Sequence, residues 1–112
     1  MPIEVKYWKS GTGECPVLDF IRGEPIKAQE KIEWQIDRLR RYGLTLLGTT
    51  DFVKKLKGYD LYELRIKVKR VLYRIIFVIK RSVAWLLVLF KKQGDKTPKQ
   101  YLNSALSRAS QI

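Results

Sequence analysis

The chain has 112 residues, 46% of them hydrophobic, enough for one compact core, and residues 1–112 read as a single domain. With 23 Lys and Arg against 11 Asp and Glu, no histidine and one cysteine, the net charge is +12, an internal disulfide is excluded, and a zinc site has almost nothing to build from. The longest charge-free run, Ser82 to Phe90, is far short of the roughly 20 apolar residues that cross a bilayer, and MPIEVKYW lacks the order of a signal peptide, so a soluble, intracellular protein is expected.

IEVKYW (3–8) alternates weakly and predicts a first strand, followed by a turn at GTG (11–13). A short helix is expected from Pro16 to Arg22, with Cys15 beside it as a small buried residue rather than a nucleophile. Gly23 breaks that helix, and Glu24-Pro25 opens a longer one. Within 25–42, Ala28, Ile32, Ile36, Leu39 and Tyr42 form one apolar stripe, and Gly43 stands where a C-cap belongs. Trp34 lies off the stripe among Lys27, Lys31, Arg38 and Arg41, and is expected to pack against the short first helix. TTDFVKKLKG (49–58) predicts a Thr or Asp cap and one or two helical turns ending at Gly58.

The most regular stretch follows. Tyr62, Leu64, Ile66 and Val68 share one parity and Glu63, Arg65, Lys67 and Lys69 the other, the period of a half-buried strand. Residues 71–79 (VLYRIIFVI) and 83–90 (VAWLLVLF) are apolar on both faces apart from Arg74, which suits central strands. Three consecutive strands imply an antiparallel meander, broken near Lys69-Arg70 and Lys80-Arg81-Ser82 because continuous strand would be too long. After the polar loop KKQGDK (91–96), Thr97-Pro98 is expected to cap a final helix carrying Tyr101, Leu102, Ala105 and Ala109. The order predicts an α+β domain with helices on one face of the sheet and a basic patch on the other.

Charge is distributed unevenly. Residues 1–51 hold eight basic and eight acidic side chains, whereas 52–100 hold fourteen against three, and this asymmetry points to a polyanionic partner, nucleic acid or an acidic protein surface. In the basic half the carboxylates are only Asp60, Glu63 and Asp95, spread over 36 positions, a poor arrangement for a metal-dependent nuclease. Metal-free RNA cleavage stays open: the 2′-hydroxyl attacks the adjacent phosphate while arginine and lysine stabilise the added charge. Proton transfer is harder, since lysine titrates near ~10.4 unless like charges depress it. The aromatics Tyr62, Tyr73, Phe77, Trp85 and Phe90 read as core more readily than as an RNA-stacking platform.

FVKKLKGYDLYELRI (52–66), VLYRIIFVI (71–79) and LFKKQGDKTPKQYLNSAL (89–106) together resemble the phage-derived HigB-like branch of the RelE/ParE toxin superfamily. The linked pattern is K-L-x-G, L-Y-E-L-R, Y-R-I, F-x-K and K-T-P. The resemblance implies a RelE-like α+β fold: an antiparallel or mixed sheet of about four strands, N-terminal helices packed on one face and a short C-terminal helix. It further implies a cytoplasmic toxin that cleaves mRNA in the ribosomal A site without metal or other cofactor. The implied partners are mRNA and rRNA there, and a cognate antitoxin, in this branch commonly a helix-turn-helix DNA-binding protein.

By the same resemblance, Arg65 and Arg74 would bind the scissile phosphate and stabilise its transition state. Lys91 and Lys92 sit where related toxins place another catalytic or rRNA-contacting cation. Glu63 stands where RelE-type ribonucleases carry a lysine proposed as base; glutamate is usual in the HigB-like branch, and here it either takes the 2′-proton or pairs with Lys67 or Arg65. Tyr101 occupies the place of a late aromatic that stacks on a base in some relatives, although its helical stripe reads as core. Lys67, Lys69 and Arg70 are expected to attract RNA, and Lys54, Lys55 and Lys57 either grip rRNA phosphates or form a solvated face. Two other readings stay open: a ParE-like protein that inhibits DNA gyrase without catalysis, and a catalytically silent RNA-binding protein.

Overall fold

The computed structural model describes residues 2–46, 52–92, 94 and 96–112. In chain order these form β1 (Glu4–Tyr7), α1 (Pro16–Arg22), α2 (Ile26–Tyr42), a 3-10 turn (Gly43–Leu46), β2 (Val53–Lys55), β3 (Tyr62–Val68), β4 (Val71–Lys80), β5 (Val83–Lys91) and α3 (Lys99–Ala109). The sheet order is β1-β5-β4-β3-β2, antiparallel throughout except that β1 runs parallel to β5. The α+β class, the 16–22 helix and the meander agree with the sequence reading. The sheet has five strands rather than about four.

The fifth strand is β2, at residues expected to form a helical turn. An apolar run this short fits either period, and tertiary pairing decides it. Val53 is buried and sits opposite Leu64, Lys54 lies opposite Glu63, and Lys55 opposite Tyr62. Gly58, at φ +87°, supplies the left-handed residue that returns the chain to β3. Lysines on so short an edge strand also discourage pairing with another sheet. The expected Thr or Asp cap at 49–51, and Gln93 and Asp95 of the polar loop, lie outside the described residues.

Both faces of the sheet are packed, which corrects the expectation that all helices share one face. On the first, Val17 and Ile21 of α1 and Ala28, Ile32, Ile36 and Leu39 of α2 meet Leu64, Ile66, Ile75, Phe77, Ala84 and Leu86. On the second, Ala105 and Ala109 of α3 pack with Trp8, Ile76, Val78, Leu87, Val88 and Phe90. The reason is in the sequence of β4 and β5: strands apolar on both faces must be covered on both. Two cations fasten α3 down, Arg108 Nη1 donating to the Leu87 carbonyl at 2.6 Å and Lys80 Nζ to that of Ala109 at 2.6 Å. The second face stays open only toward β3 and β2.

The α2 stripe holds through Leu39 but not at Tyr42, which is 48% exposed because the helix ends there and Gly43, at φ +56°, turns the chain. Trp34 does not pack on α1; it is 53% exposed, with Lys31 Nζ and Arg38 Cζ 5.1 and 5.2 Å from its ring.

A β-bulge sets which side chains reach which face. Ile76 pairs with Val88 and Phe77 with Leu86, leaving Leu87 as the extra residue of β5. Beyond it the alternation of β5 is inverted: Leu89 and Lys91 turn to the α1–α2 face and Phe90 to the α3 face.

The β4–β5 hairpin closes through Arg81 and Ser82 at φ +53° and +64°, between the paired residues Lys80 and Val83. Two successive left-handed residues match the twist of a hairpin, but neither side chain favours that region. Replacing them with Asn-Gly relieves the mismatch. Arg81→Asn/Ser82→Gly is expected to stabilise the fold by about 1 kcal/mol, read as a rise of several degrees in thermal midpoint.

Candidate nucleic-acid interface

Register places the basic residues of the second face in rows across the sheet. Lys54, Glu63, Ile76 and Val88 form one row, and Arg65, Arg74 and Phe90 the next. Lys67 opposes Leu72 in the third, where the Lys92 N–H donates to the Leu72 carbonyl at 2.7 Å. α3 covers the β5 end of these rows, and the cations occupy what remains.

At the centre lies a carboxylate. Glu63 is 2% exposed and Arg74 6%, and Arg74 Nη1 donates to Glu63 Oε1 in a short contact. Arg65 Nε approaches the same oxygen at 3.4 Å, and the Thr97 hydroxyl donates to Oε2 at 3.1 Å. Of the two partners the sequence offered Glu63, Arg65 is present; the dominant one is Arg74, directly across the β3–β4 ladder from Arg65. One carboxylate thus holds two guanidiniums in adjacent positions, leaving a net positive charge. Arg74 Nε is buried with no hydrogen-bond partner among the described residues, a donor left over. The Arg65 side chain is 31% exposed, and both arginines line a cavity of about 240 Å³ with Lys67, Leu72, Phe52 and Ile66. The exposed part of Arg65, with Lys67 beside it, can meet a phosphate in this depression.

Thr97 was expected as a helix cap. Pro98 is the N-cap, no side chain among the described residues caps α3, and the threonine hydroxyl serves Glu63 instead. The K-T-P pattern signalled the residue; only the fold gives it this task.

Lys91 is brought elsewhere. The bulge turns it to the α1–α2 face, where its Nζ lies 3.0 Å from Glu24 Oε1, an atom that also accepts the Tyr73 hydroxyl at 2.8 Å. Burial opposes ionisation of Glu24, but the hydrogen bonds from Lys91 and Tyr73 and the charge of Lys91 outweigh it and hold the carboxyl below its ordinary value. Burial, then the Glu24 hydrogen bond and charge, push the Tyr73 phenol up to about 12.

Tyr101 stacks on Phe90, centroids 4.4 Å apart and planes 9° from parallel, within the second core. Lys69 and Arg70 form the β3–β4 turn, exposed at the end of the ladder, with Lys69 at φ +54°. Lys54, Lys55 and Lys57 are exposed but do not share a helix face: on β2, Lys54 joins the Glu63 row while Lys55 opposes Tyr62, and Lys57 lies in the following loop. Phe77, Tyr73 and Phe90 are core residues rather than a stacking platform. Among the described residues, no three His, Cys, Asp or Glu side chains gather in a group that could hold a metal ion, and no helix is long and apolar enough to cross a membrane.

Residues 19–110 match the family described as phage-derived protein Gp49-like (DUF891). The chain belongs to the Gp49-like family. This is a toxin-like family of RelE/HigB type. The match runs from within α1 through α3 and takes in every residue of the Glu63 cluster, while β1 precedes it. A search of the curated proteins finds no match to this Gp49-like chain.

Glu63→Gln leaves Arg74 buried beside a neutral partner and is expected to cost about 3–5 kcal/mol in denaturant unfolding, most of it regained in the apolar pair Glu63→Met/Arg74→Leu. For Tyr73, the native pKa of about 12 lies above the ordinary 10.0, so its contribution is complete below pH 10.0 and is lost as pH rises toward 12. For Glu24 the native value lies below 4.5, so its contribution is complete above pH 4.5 and is lost as pH falls below it. Burial also raises the Tyr7 phenol, so ultraviolet titration should show late phenols of which Tyr73→Phe removes one, and the same variant should flatten the alkaline limb of a stability–pH curve.

Proposed function

We propose that this Gp49-like chain is a HigB-like toxin of a type II toxin–antitoxin pair, acting as a ribosome-dependent, metal-independent endoribonuclease that cuts mRNA in the A site and inhibits translation. The observation that carries the reading is the pair Arg65 and Arg74, adjacent across the β3–β4 ladder, anchored by one buried carboxylate and lining one depression. The surrounding Lys54, Lys67 and Lys92 extend a positive field that draws a polyanion to that point.

In this reading the 2′-oxygen attacks the adjacent phosphorus as the bond to the 5′-oxygen breaks. The products are a 2′,3′-cyclic phosphate and a 5′-hydroxyl, with the 2′-proton lost to a base and a proton delivered to the leaving oxygen. Arg65 and Arg74 stabilise charge on the non-bridging oxygens, fixed in advance so that nothing reorganises as the charge grows. Glu63, with both oxygens engaged by Arg74, Arg65 and Thr97, acts as a positioning residue rather than as the base. A site rich in charge stabilisation and poor in proton acceptors depends on its substrate scaffold, which is the physical reason for assigning the ribosome as partner. The cognate antitoxin, a helix-turn-helix protein in this reading, silences the toxin by covering it.

Induction in cells should arrest growth and produce new mRNA 5′ ends inside translated frames, mapped by primer extension. Arg65→Ala, at a half-exposed position that spares the Arg74–Glu63 pair, should lower cleavage by about 10²–10³-fold while the fold is kept. Full cleavage by folded Arg65→Ala would overturn the site, and inhibited DNA supercoiling with intact ribosome-bound mRNA would overturn the activity in favour of gyrase inhibition.

A further inference from the structure

The edge of the sheet opposite β2 carries a feature unrelated to the arginine pair. β1 is the terminal strand and is bonded on one side to β5. The Trp8 N–H donates to the Leu86 carbonyl at 2.9 Å. By the alternation of a parallel ladder, Glu4, Lys6 and Trp8 direct their backbone groups at β5, and Ile3, Val5 and Tyr7 direct theirs outward. The outward N–H of Ile3 is taken by the Arg40 carbonyl of α2 at 2.8 Å. Val5 and Tyr7 face the open edge, and such a row of backbone groups is a template for another strand.

A cavity of about 610 Å³ straddles this edge. Val5, Tyr7 and Arg40 line it on the α2 side, and Lys6, Trp8 and Trp85 on the α3 side. A neighbouring cavity of about 300 Å³ shares Lys6 and Trp85 and adds Lys80 and Arg81. Among the described residues, no Asp or Glu side chain lines either one. Two acids lie close by: exposed Glu4, paired with Lys6 at 3.5 Å, and Glu33 of α2, whose charge reaches Tyr7.

We propose that the outer edge of β1 is a docking site for an extended, acidic segment of a partner protein, which adds as a sixth strand and sets alternate side chains into the two halves of the groove. Three observations select this occupant. A backbone edge pairs with polypeptide, and a strand laid there sends successive side chains to opposite faces, where the groove has walls on each side. Lys9, Arg40 and Arg81, together with Lys6, which Glu4 shares, complement acidic residues and repel a second copy of this chain presenting the same cations. An RNA strand would meet the cations but leave the Val5 and Tyr7 backbone groups and the apolar walls unused. β1 precedes the residues matched to the Gp49-like family, whereas Arg40, Lys80, Arg81 and Trp85 of the groove lie within them, and none of the groove residues belongs to the arginine pair.

The test is selection of short displayed random peptides against the full chain, followed by amide hydrogen exchange with each selected peptide. Selected peptides are expected to alternate apolar and acidic residues and to slow exchange at Val5 and Tyr7 by about tenfold or more. Lys9→Glu/Arg40→Glu, a reversal at two exposed side chains, should weaken their binding by about tenfold or more. The proposal is overturned if no peptide is selected, or if selected peptides protect other amides. It is equally overturned if polyuridine protects Val5 and Tyr7 as well as the peptides do, or if self-association at rising concentration protects them.

Discussion

A single buried carboxylate decides how this basic protein presents its charge. Glu63 sits on β3 under the edge of α3, almost without solvent, and its two oxygens collect Arg74, Arg65 and the Thr97 hydroxyl. Two guanidiniums side by side across a ladder repel each other, and one of them is buried. Without Glu63, Arg74 would have to leave the sheet or remain as an uncompensated charge. With it, both are held in adjacent positions. The pair is therefore a fixed feature of the sheet rather than two mobile surface charges, which is the property that a site acting on developing phosphate charge requires. Thr97 ties the segment leading into α3 to the same carboxylate, so the covering helix and the arginine pair are positioned together.

The bulge at Leu87 divides labour between the two faces. By inverting the second half of β5, it sends Phe90 against Arg74 and Tyr101, and Lys91 toward Glu24 and Tyr73. Two acid–base clusters result, back to back through the sheet: Glu63 with two arginines on the open face, Glu24 with a lysine and a phenol on the helical face. The second has its cation half exposed and its carboxyl largely covered, and it joins β4 and β5 to the α1–α2 junction.

Much of this was legible in the sequence, and what was not had definite causes. The alternation of ELRIKVK gave the correct faces for Leu64, Ile66, Glu63, Arg65 and Lys67, because a strand's period is strict wherever one face is apolar. Lys91 stands with the site cations only by resemblance; a bulge, one extra residue in an apolar run that nothing in VAWLLVLF marks, turns it to the other face. β2 read as helix because DFVKKLKG is too short for period to decide, and its partner lies on β3. Glu63 was seen to need a partner, but the choice of Arg74 over Lys67 depends on cross-strand register. Thr97 looked like a cap because threonine before proline usually is one. Apolar residues on both faces of β4 and β5 already required a second cover, and α3 supplies it.

The most direct test of the central claim, that two anchored arginines promote attack by the substrate's own 2′-hydroxyl, uses purified protein and ribosomes programmed with a defined mRNA. The account predicts cleavage only on the ribosome, with 2′,3′-cyclic phosphate and 5′-hydroxyl ends, and none when the attacking nucleotide lacks its 2′-hydroxyl. Cleavage of the 2′-deoxy substrate at the same position would contradict it.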